Sequence, residues 1–558
     1  MSQVILSLLT VLLLAYPLGS WIEKVMNQKL EYVGQTDSRI LSWLHIPQTE
    51  MNWKKYLISL LCFSLCGFLV LYVLLLADGF SWDLALNTAV SYVTNTNWQA
   101  FDPSLQASML TQVFGFLVQN FVSAACAVCV LFALIRGFIR TKTSSIGNFY
   151  ADLLSALLFV LIPFNLITGL LLGAGGLPQN LNEYQTSALI EPVAANAEGE
   201  ILEEARIEDG KIYLDGEEQT DAILVTRQYV PSGLMASSEA IKQSGTNGGG
   251  LSAANSASPI ENPNGFTNYI ETVSILLIPA SLCFSFGKMV RSKKQGTALF
   301  AAMAIFFGLA LACLIAAELS GGSFEGKEAR IGLENSALFA ASTTAASSGS
   351  VNSAMNSLSP LGSMVCLVLM QIGEVIFGGV GSGLYGMIAF VIVAIFIAGL
   401  MVGRTPEFLG KKIEPFEMKW ALVLCLAAPL CILITSGIGA LAPVRTDSMQ
   451  AHGFTQILYG FTSMGANNGS MMNGLAAGSV LVNISGAISM LIGRFIPMAG
   501  ALAMAGSLAL KKKMAVSAGT LVTDSAQFVF LLLLVIILVG ALSFFPALSL
   551  GPLAEFFG

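Results

Sequence analysis

Long apolar stretches alternate along this chain with short polar ones, and the apolar stretches are of membrane-crossing length. Windows near residues 3–20, 56–77, 112–135, 150–174, 267–289, 297–317, 361–403, 417–438, 474–509 and 525–546 predict ten helical spans. Most are close to the ~20 residues that a bilayer requires. The window 361–403 is longer, and its length alone admits one crossing or two. Basic residues decide between them. Lys and Arg cluster in alternate connections, Lys24 to Lys55, Arg136 to Lys142, Lys288 to Lys294, Arg404 to Lys419 and Lys511 to Lys513, and all five fall on one side only if 361–403 crosses once. The window is therefore predicted as one span broken at the glycine-rich Phe377 to Gly386. The excess of positive charge makes the basic side cytoplasmic, which puts both termini outside the cell or in the periplasm.

Four polar loops interrupt this pattern on the opposite side: TNTNWQ (Thr94 to Gln99), GTNGGG (Gly245 to Gly250), TTAASSGS (Thr343 to Ser350) and GANNGS (Gly465 to Ser470). Each follows a stretch able to form a short helix and precedes a longer apolar one, the arrangement of a re-entrant loop between two spans. Irregular backbone at membrane depth persists only where it is buried in protein or lines a water-filled path. Thr, Ser, Asn and Gly can turn carbonyls and hydroxyls inward to replace the hydration shell of a monovalent cation. The candidate ion-facing residues are Thr94, Asn95 and Thr96 in the first loop, Thr246, Asn247 and Gly248 in the second, Ser347, Ser348 and Gly349 in the third, and Asn467, Asn468 and Gly469 in the fourth. Glycine supplies the backbone freedom in three loops, and Asn97 stands in for it in the first. Gln119 and Asn120, early in the following span, are candidates to brace the first loop. Asp83, Glu239 and Glu334 are expected near the positive starts of the short helices, whose negative ends face the ion.

The expected architecture is an all-α polytopic membrane protein of about ten transmembrane helices, with a potassium-channel-like pseudo-fourfold repeat of helix, pore loop and helix. One extra helix is added at each end. In residues this gives a leading helix and cytoplasmic loop (1–55), four repeats (56–135, 150–289, 297–403 and 417–509) and a trailing helix (525–558). Four loops meeting on one axis would let a single chain enclose one pore.

Composition agrees with this class. Of 558 residues 55% are hydrophobic and 11% charged, far beyond the apolar content of a soluble domain, and no nucleic-acid partner is expected. Nine cysteines lie in apolar segments, so no disulfide framework is expected, and the Cys126/Cys129 pair reads as small packing residues. His45 and His452 have no partners at metal-ligand spacing. The start resembles a signal peptide but lacks a basic n-region, so a retained first helix is expected. The acidic insertion 184–230 is expected to form a small extracellular flap, with EDGK (Glu208 to Lys211) as a hairpin signal. Its charge reads as a solvated surface.

Ionisable residues inside spans are costly and default to functional hypotheses. Glu374 precedes the break in the long span, Ser382 lies within that break, and Arg494 sits in the ninth span. An arginine below a cation filter opposes a straight exit, whereas a carboxylate beside a helix break offers a lateral one. These three residues are the candidates for tunnel or exit control. A structural ion pair is the alternative for the two charges. Arg404, in GRTPE, is expected to anchor the cytoplasmic end or contact a partner. The chain has no Walker A sequence and no DKTG phosphorylation site, so energy must come from an ion gradient or a partner.

MNWKKY (Met51 to Tyr56), SWDLALNTAVSYVTNTNWQ (Ser81 to Gln99), GTNGGG, EGKEARIG (Glu325 to Gly332), QIGEVIFGGVGSGLYGM (Gln371 to Met387) and GLMVGRTPEFLGKKI (Gly399 to Ile413) closely resemble the potassium-binding A subunits of Kdp-type potassium-transporting ATPases of bacteria. The resemblance covers nearly the whole chain. It implies a non-catalytic, channel-derived subunit of the inner membrane that captures extracellular potassium and passes it through an intramembrane tunnel to a P-type ATPase B subunit. A C subunit and a small F peptide complete the implied complex. The implied ligand is the potassium ion, with no organic cofactor. Two departures from the family pattern are Ser348, where a cysteine is familiar, and the length of the acidic insertion. The competing readings are a self-sufficient potassium channel or cation symporter of the same architecture, and a membrane enzyme binding a phosphate at 377–386. The last lacks a convergent acid, base or metal set.

Overall fold

The computed structural model describes the chain apart from residues 183, 197–200, 209–210, 215–216, 220, 322, 404, 443, 449 and 515–520 and the side chains of 218 and 402. Arg404 and Gly210 therefore lie outside the described residues. Ten helices among those described are long and apolar enough to cross a membrane, and they coincide with the ten predicted windows. The seventh differs in detail. The helix Pro360–Gln371 ends before Ile372, and Ser382–Val402 begins after Gly381, so the helical interruption starts and ends about five residues before the segment predicted from glycine content. Gly383 and Gly386 are helical, and Gly383 instead admits the close approach of Gly378.

Four short helices, Trp82–Val93, Met235–Ser244, Leu333–Ala345 and Ala451–Gly465, each end at one of the polar loops. The spans around them sort by burial. Thr111–Ile139 and Gly265–Met289 are each 89% buried, against 22% and 33% for Trp53–Ala77 and Phe149–Ala174, so the helix after each loop lines the interior and the helix before it faces outward. The same order holds in the third and fourth repeats. The ring also closes between its ends: Asn483 in Val480–Leu510 donates to Asp83 at 2.8 Å, and its carbonyl accepts from Asn87 at 2.8 Å. The first short helix is thereby fixed to the inner helix of the fourth repeat.

The basic connections gather at the end away from the loops. Lys411 inserts its ammonium among the carbonyls of Arg140, Leu508 and Lys511 at 2.6–2.9 Å, joining the ends of two inner helices. Arg136 makes a two-pronged pair with Asp152 (2.6 and 2.7 Å), and the buried Tyr56 hydroxyl donates to the same carboxylate at 2.8 Å. Breaking a pair of this kind leaves an uncompensated buried charge and costs on the order of 3–5 kcal/mol. Asn148 caps Phe149–Ala156 through the amides of Tyr150 and Ala151, and Asn264 closes a capping box with Thr267 at the start of Gly265–Met289.

Residues Met1–Leu177 and Ala236–Gly558 form this helical body, and Pro178–Met235 form a separate small unit. The unit is wider than the predicted 184–230 and is built of strands. Tyr184–Ala195 pairs antiparallel with Ile223–Pro231, and Arg206–Glu208 pairs with Lys211–Leu214, with Glu208 opposite Lys211 as the hairpin signal predicts.

His452, at the start of the fourth short helix, ties the loop side to the chain's last helix, Pro552–Phe557. Its Nδ1 faces Glu555 Oε1 at 2.9 Å and its Nε2 faces Asn356 Oδ1 at 2.8 Å, while Gln456 also donates to that oxygen and fixes the amide's orientation. Two acceptors favour the imidazolium. The Glu555 hydrogen bond raises the pKa of His452 above its ordinary value, with partial burial opposing. Because the folded value is the higher one, this stabilisation is complete below the unfolded pKa and disappears as pH rises through the folded one. His452→Gln should therefore lower the thermal midpoint of the purified protein most below about pH 6.5. A gap from wild type that stays constant into the alkaline range would contradict the charged pairing.

Candidate functional site

The four loops share one backbone course. Each short helix ends in a turn that returns an amide to a carbonyl five residues earlier: Thr96 to Ser91, Asn247 to Lys242, Ser348 to Thr343 and Asn468 to Ser463, at 2.8–3.0 Å. The residue before each of these amides, Asn95, Thr246, Ser347 or Asn467, has positive φ (63°, 49°, 55° and 61°). A left-handed residue at this point is the ordinary way to close a helix, but it is usually glycine or asparagine. A β-branched threonine there is strained, and such strain is held in place where a site requires it. Two residues later φ is positive again, at Asn97 (54°), Gly248 (91°), Gly349 (82°) and Gly469 (100°). Alternating left-handed and ordinary residues turn successive carbonyls to one side, so each loop presents a file of oxygens.

The loops touch in sequence and close on themselves. A Cβ on Gly248 would overlap the Ser348 carbonyl oxygen, one on Gly349 that of Asn468, and one on Gly469 that of Thr96. Polar bonds run across every junction. Asn95 donates to the Thr246 carbonyl (2.8 Å) and Asn247 to Asn95 Oδ1 (2.6 Å); Gln243 donates to Ser350 (2.8 Å); Ser347 donates to the Asn467 carbonyl and Asn468 to the Thr343 carbonyl (both 2.8 Å); Asn467 donates to Thr96 Oγ1 (2.9 Å). Above the ring opens a cavity of about 500 Å³ whose lining includes Asn97, Gly248, Asn255, Gly349 and Gly469. Below it lies the break in the third repeat. Val380 N–H donates to Thr246 Oγ1 at 3.1 Å, and Gly379 packs close enough that a Cβ would stand 3.3 Å from that of Ser347. A cavity of about 60 Å³ beside the break is lined by Ser347, Glu374, Ser382, Tyr385, Asn467 and Arg494. Glu374 and Arg494 are both 4% exposed and share this cavity. Glu374 Oε1 and Arg494 Nε have no hydrogen-bond partner.

The structure brings together the sequence-predicted residues of all four loops, with one shift of register. Thr94 is the cap of its short helix, where its hydroxyl donates to the Val90 carbonyl (2.8 Å) and lies 2.8 Å from Thr96 Oγ1. The first-loop counterparts of Thr246, Asn247 and Gly248 are Asn95, Thr96 and Asn97, so the triplet read from sequence begins one residue early. Gln119 does not brace the loop: its amide fills the space that a Cβ would take on Gly67 of the outer helix. Asn120 does so, accepting from Asn97 Nδ2 at 2.6 Å. Glu334 occupies the first turn of its short helix as expected, but Glu239 is the fifth residue of Met235–Ser244 and is paired with Lys242. That pair belongs to a group missed from sequence. Lys242, Glu239, Glu261 and Glu271 are all buried behind the second loop. The density of charge around GTNGGG, in a chain with few charges, was the available signal.

A ring of four re-entrant loops within helix pairs, with carbonyls turned to one side and helix carbonyl ends behind them, defines a channel-like cation-handling membrane protein. The solved structure of the potassium transporter TrkH from Vibrio parahaemolyticus shares this fold, with a TM-score of 0.53 over 89% of this chain and 96% of that one, at 13% identity. Residues 5–557 match the family described as potassium-transporting ATPase A subunit, and the chain belongs to that family. Proteins named potassium-transporting ATPase potassium-binding subunit are similar along their whole length. That of Clostridium botulinum (strain Eklund 17B / Type B) is 48% identical, covering 99% of this chain and 98% of its own, and that of Desulfovibrio desulfuricans (strain ATCC 27774 / DSM 6949 / MB) is 47% identical, covering 99% and 97%. That of Listeria monocytogenes serotype 4b (strain F2365) is 45% identical, covering 98% and 97%.

Asn97 holds the position that glycine holds in the other loops, and its bond to Asn120 compensates for the side chain there. A double-mutant cycle of Asn97→Gly and Asn120→Leu, read by thermal unfolding, should return a coupling of about 1 kcal/mol. Additive effects would mean that Asn120 does not support the loop.

Proposed function

We propose that this chain is the potassium-binding, channel-like subunit of an ATP-driven potassium importer. It captures extracellular potassium in the ring formed by residues 95–97, 246–248, 347–349 and 467–469, in which carbonyl and hydroxyl oxygens replace the ion's water. The observation that carries the reading is the closed ring of four loops with the same alternation of φ, in a chain whose relatives are named for potassium binding. The short-helix carbonyl ends add a favourable term of about 0.5 kcal/mol or more each when partly buried. The ion then leaves sideways. The break at Ile372–Gly381 lies beneath the ring, the guanidinium of Arg494 opposes a cation in the cavity under the fourth loop, and the Glu374 carboxyl beside the break favours one. ATP hydrolysis belongs to a P-type ATPase B subunit that receives the ion, with a C subunit and a small F peptide completing the complex. The complex sits in the bacterial plasma membrane, with the basic loops cytoplasmic and both termini outside.

Gly248→Asp tests the ring directly. Its φ of 91° and the adjacent Ser348 carbonyl leave no room for a side chain, and a carboxylate adds charge where neutral dipoles select the ion. Potassium uptake by the whole complex should lose apparent affinity by more than about tenfold while the protein still reaches the membrane. Wild-type affinity in this variant would remove the second loop from the ion path.

Arg494→Gln tests the lateral route. In vesicles containing the whole complex, the variant should show ATP-independent potassium leak or hydrolysis uncoupled from transport. Tight coupling in the variant would show that Arg494 does not close the axial exit. Potassium flux through wild-type chain reconstituted without any partner would instead favour a self-sufficient channel or symporter.

A further inference from the structure

The second repeat departs from the fourfold pattern in a way that the ring alone does not require. Its short helix carries Lys242 one turn before the loop, while the other three short helices contain no lysine or arginine. The Lys242 side chain is fully buried, and its three donors are all engaged: Asn255 Oδ1 at 2.6 Å, Glu261 Oε2 at 2.8 Å and Glu239. Asn255 in turn donates its Nδ2 to the Gly248 carbonyl at 2.7 Å. An ammonium can only donate, so with the Ser256 amide (3.0 Å) and the Ser350 hydroxyl (3.2 Å) it draws the Asn255 oxygen towards it and leaves the NH₂ to face the loop. Asn255 stands in the left-handed region (φ 56°), which aims its side chain back at the loop. Glu261 holds the far side of the same stretch: its Oε1 accepts the Ser252 amide at 2.6 Å, and its carboxylate lies where a Cβ on Gly250 would be, 2.6 Å away. Gln243 extends the group to the third loop through Ser350 and to Glu271 at 3.0 Å.

We infer that Lys242 is a positioning residue for ion discrimination, acting through Asn255 to hold the Gly248 carbonyl at the outer end of the ring. One lone pair of that oxygen is occupied by Asn255, so the oxygen is fixed in direction and offers an ion less than a free carbonyl does. The outer site is therefore built from one clamped oxygen in the second repeat and from carbonyls in the other repeats that, among the described residues, no lysine-held amide restrains. A clamped carbonyl cannot move outward for a larger ion. Without Lys242 the Asn255 oxygen keeps only the Ser256 amide (3.0 Å) and the Ser350 hydroxyl (3.2 Å), so the charged donor that holds the amide in this orientation is lost and the clamp on the Gly248 carbonyl is loosened.

This inference rests on the loop ring being the potassium filter, and the test separates the two. Rubidium and potassium uptake by the whole complex would be compared as the ratio of kcat/KM values, with the amount of protein in the membrane measured in parallel. In Asn255→Asp, which keeps an acceptor for Lys242 but loses the donor to Gly248, the ratio should move towards rubidium by about fivefold, the equivalent of one ordinary hydrogen bond. Lys242→Met should move it in the same direction. Because that change strands buried carboxylates and can reduce folding, Asn255→Asp decides where Lys242→Met fails to accumulate. An unchanged ratio in Asn255→Asp, with only the amount or thermal stability of the complex reduced, would assign Lys242 a structural role and overturn the inference. The same unchanged ratio alongside a Gly248→Asp variant that has lost affinity would leave the filter intact and the clamp refuted, whereas unaltered affinity in Gly248→Asp would remove the filter itself.

Discussion

Backbone polar groups at membrane depth have no water to turn to, and the centre of this protein is organised around that constraint. Four segments leave the helical hydrogen-bond pattern in the middle of an apolar body. Each recovers part of it through the same helix-closing turn, and side chains of adjacent loops take up carbonyls of the second, third and fourth. Close packing of one loop's glycine against the next loop's carbonyl makes the four interdependent, because none can change course without displacing an oxygen in the loop beside it. Carbonyls that are not consumed in this way are the oxygens that the proposed site would offer a dehydrated cation.

The same constraint explains the packing around the loops. The inner helices are buried because they support the loops, and Gly493 of Val480–Leu510 shows how closely: a side chain there would run into the Gly465 carbonyl. Asn467 bonds the Met490 carbonyl of the same helix at 3.0 Å. The outer helices carry less of this burden and present apolar side chains outward. At the opposite end, Lys411 and the Arg136–Asp152 pair hold the inner helices to their neighbours, so the ring is braced at both ends of the helices that support it.

Much of this was legible in the chain. Ten apolar windows, alternating basic connections and four small polar loops carry strong periodic signals, and the spans appear where those signals place them. Glycine located the loop register in repeats two to four. The first loop has no glycine, and its register slipped by one because Asn97 can adopt the same backbone only with help from Asn120, a contact that no local pattern reveals. Gln119 and Asn120 are indistinguishable in sequence for a related reason: adjacent residues on a helix face different neighbours, and the sequence does not say which of two amides points at the loop. Glycine content points to a break at Phe377 to Gly386, whereas the structure starts it at Ile372 and keeps Gly383 helical to admit Gly378. Lys242 has no local signature because its partners Glu239, Asn255 and Glu261 are spread over a helix and the loop that follows the ring, and only tertiary folding assembles them.

The hydrogen bond from Val380 to Thr246 joins two features that differ in kind, a strained residue of the ring and a non-helical turn one layer below it. It gives the two segments a shared contact through which a shift in one can reach the other. If an ion in the ring alters the balance between two positions of that turn, then anything that binds preferentially to one of those positions must alter ion affinity by the same factor. A partner docked beside the turn would need no contact with the ion to sense its presence, and reciprocity would let it help to release the ion. The coupling in such an assembly would reside in the relation between these two segments.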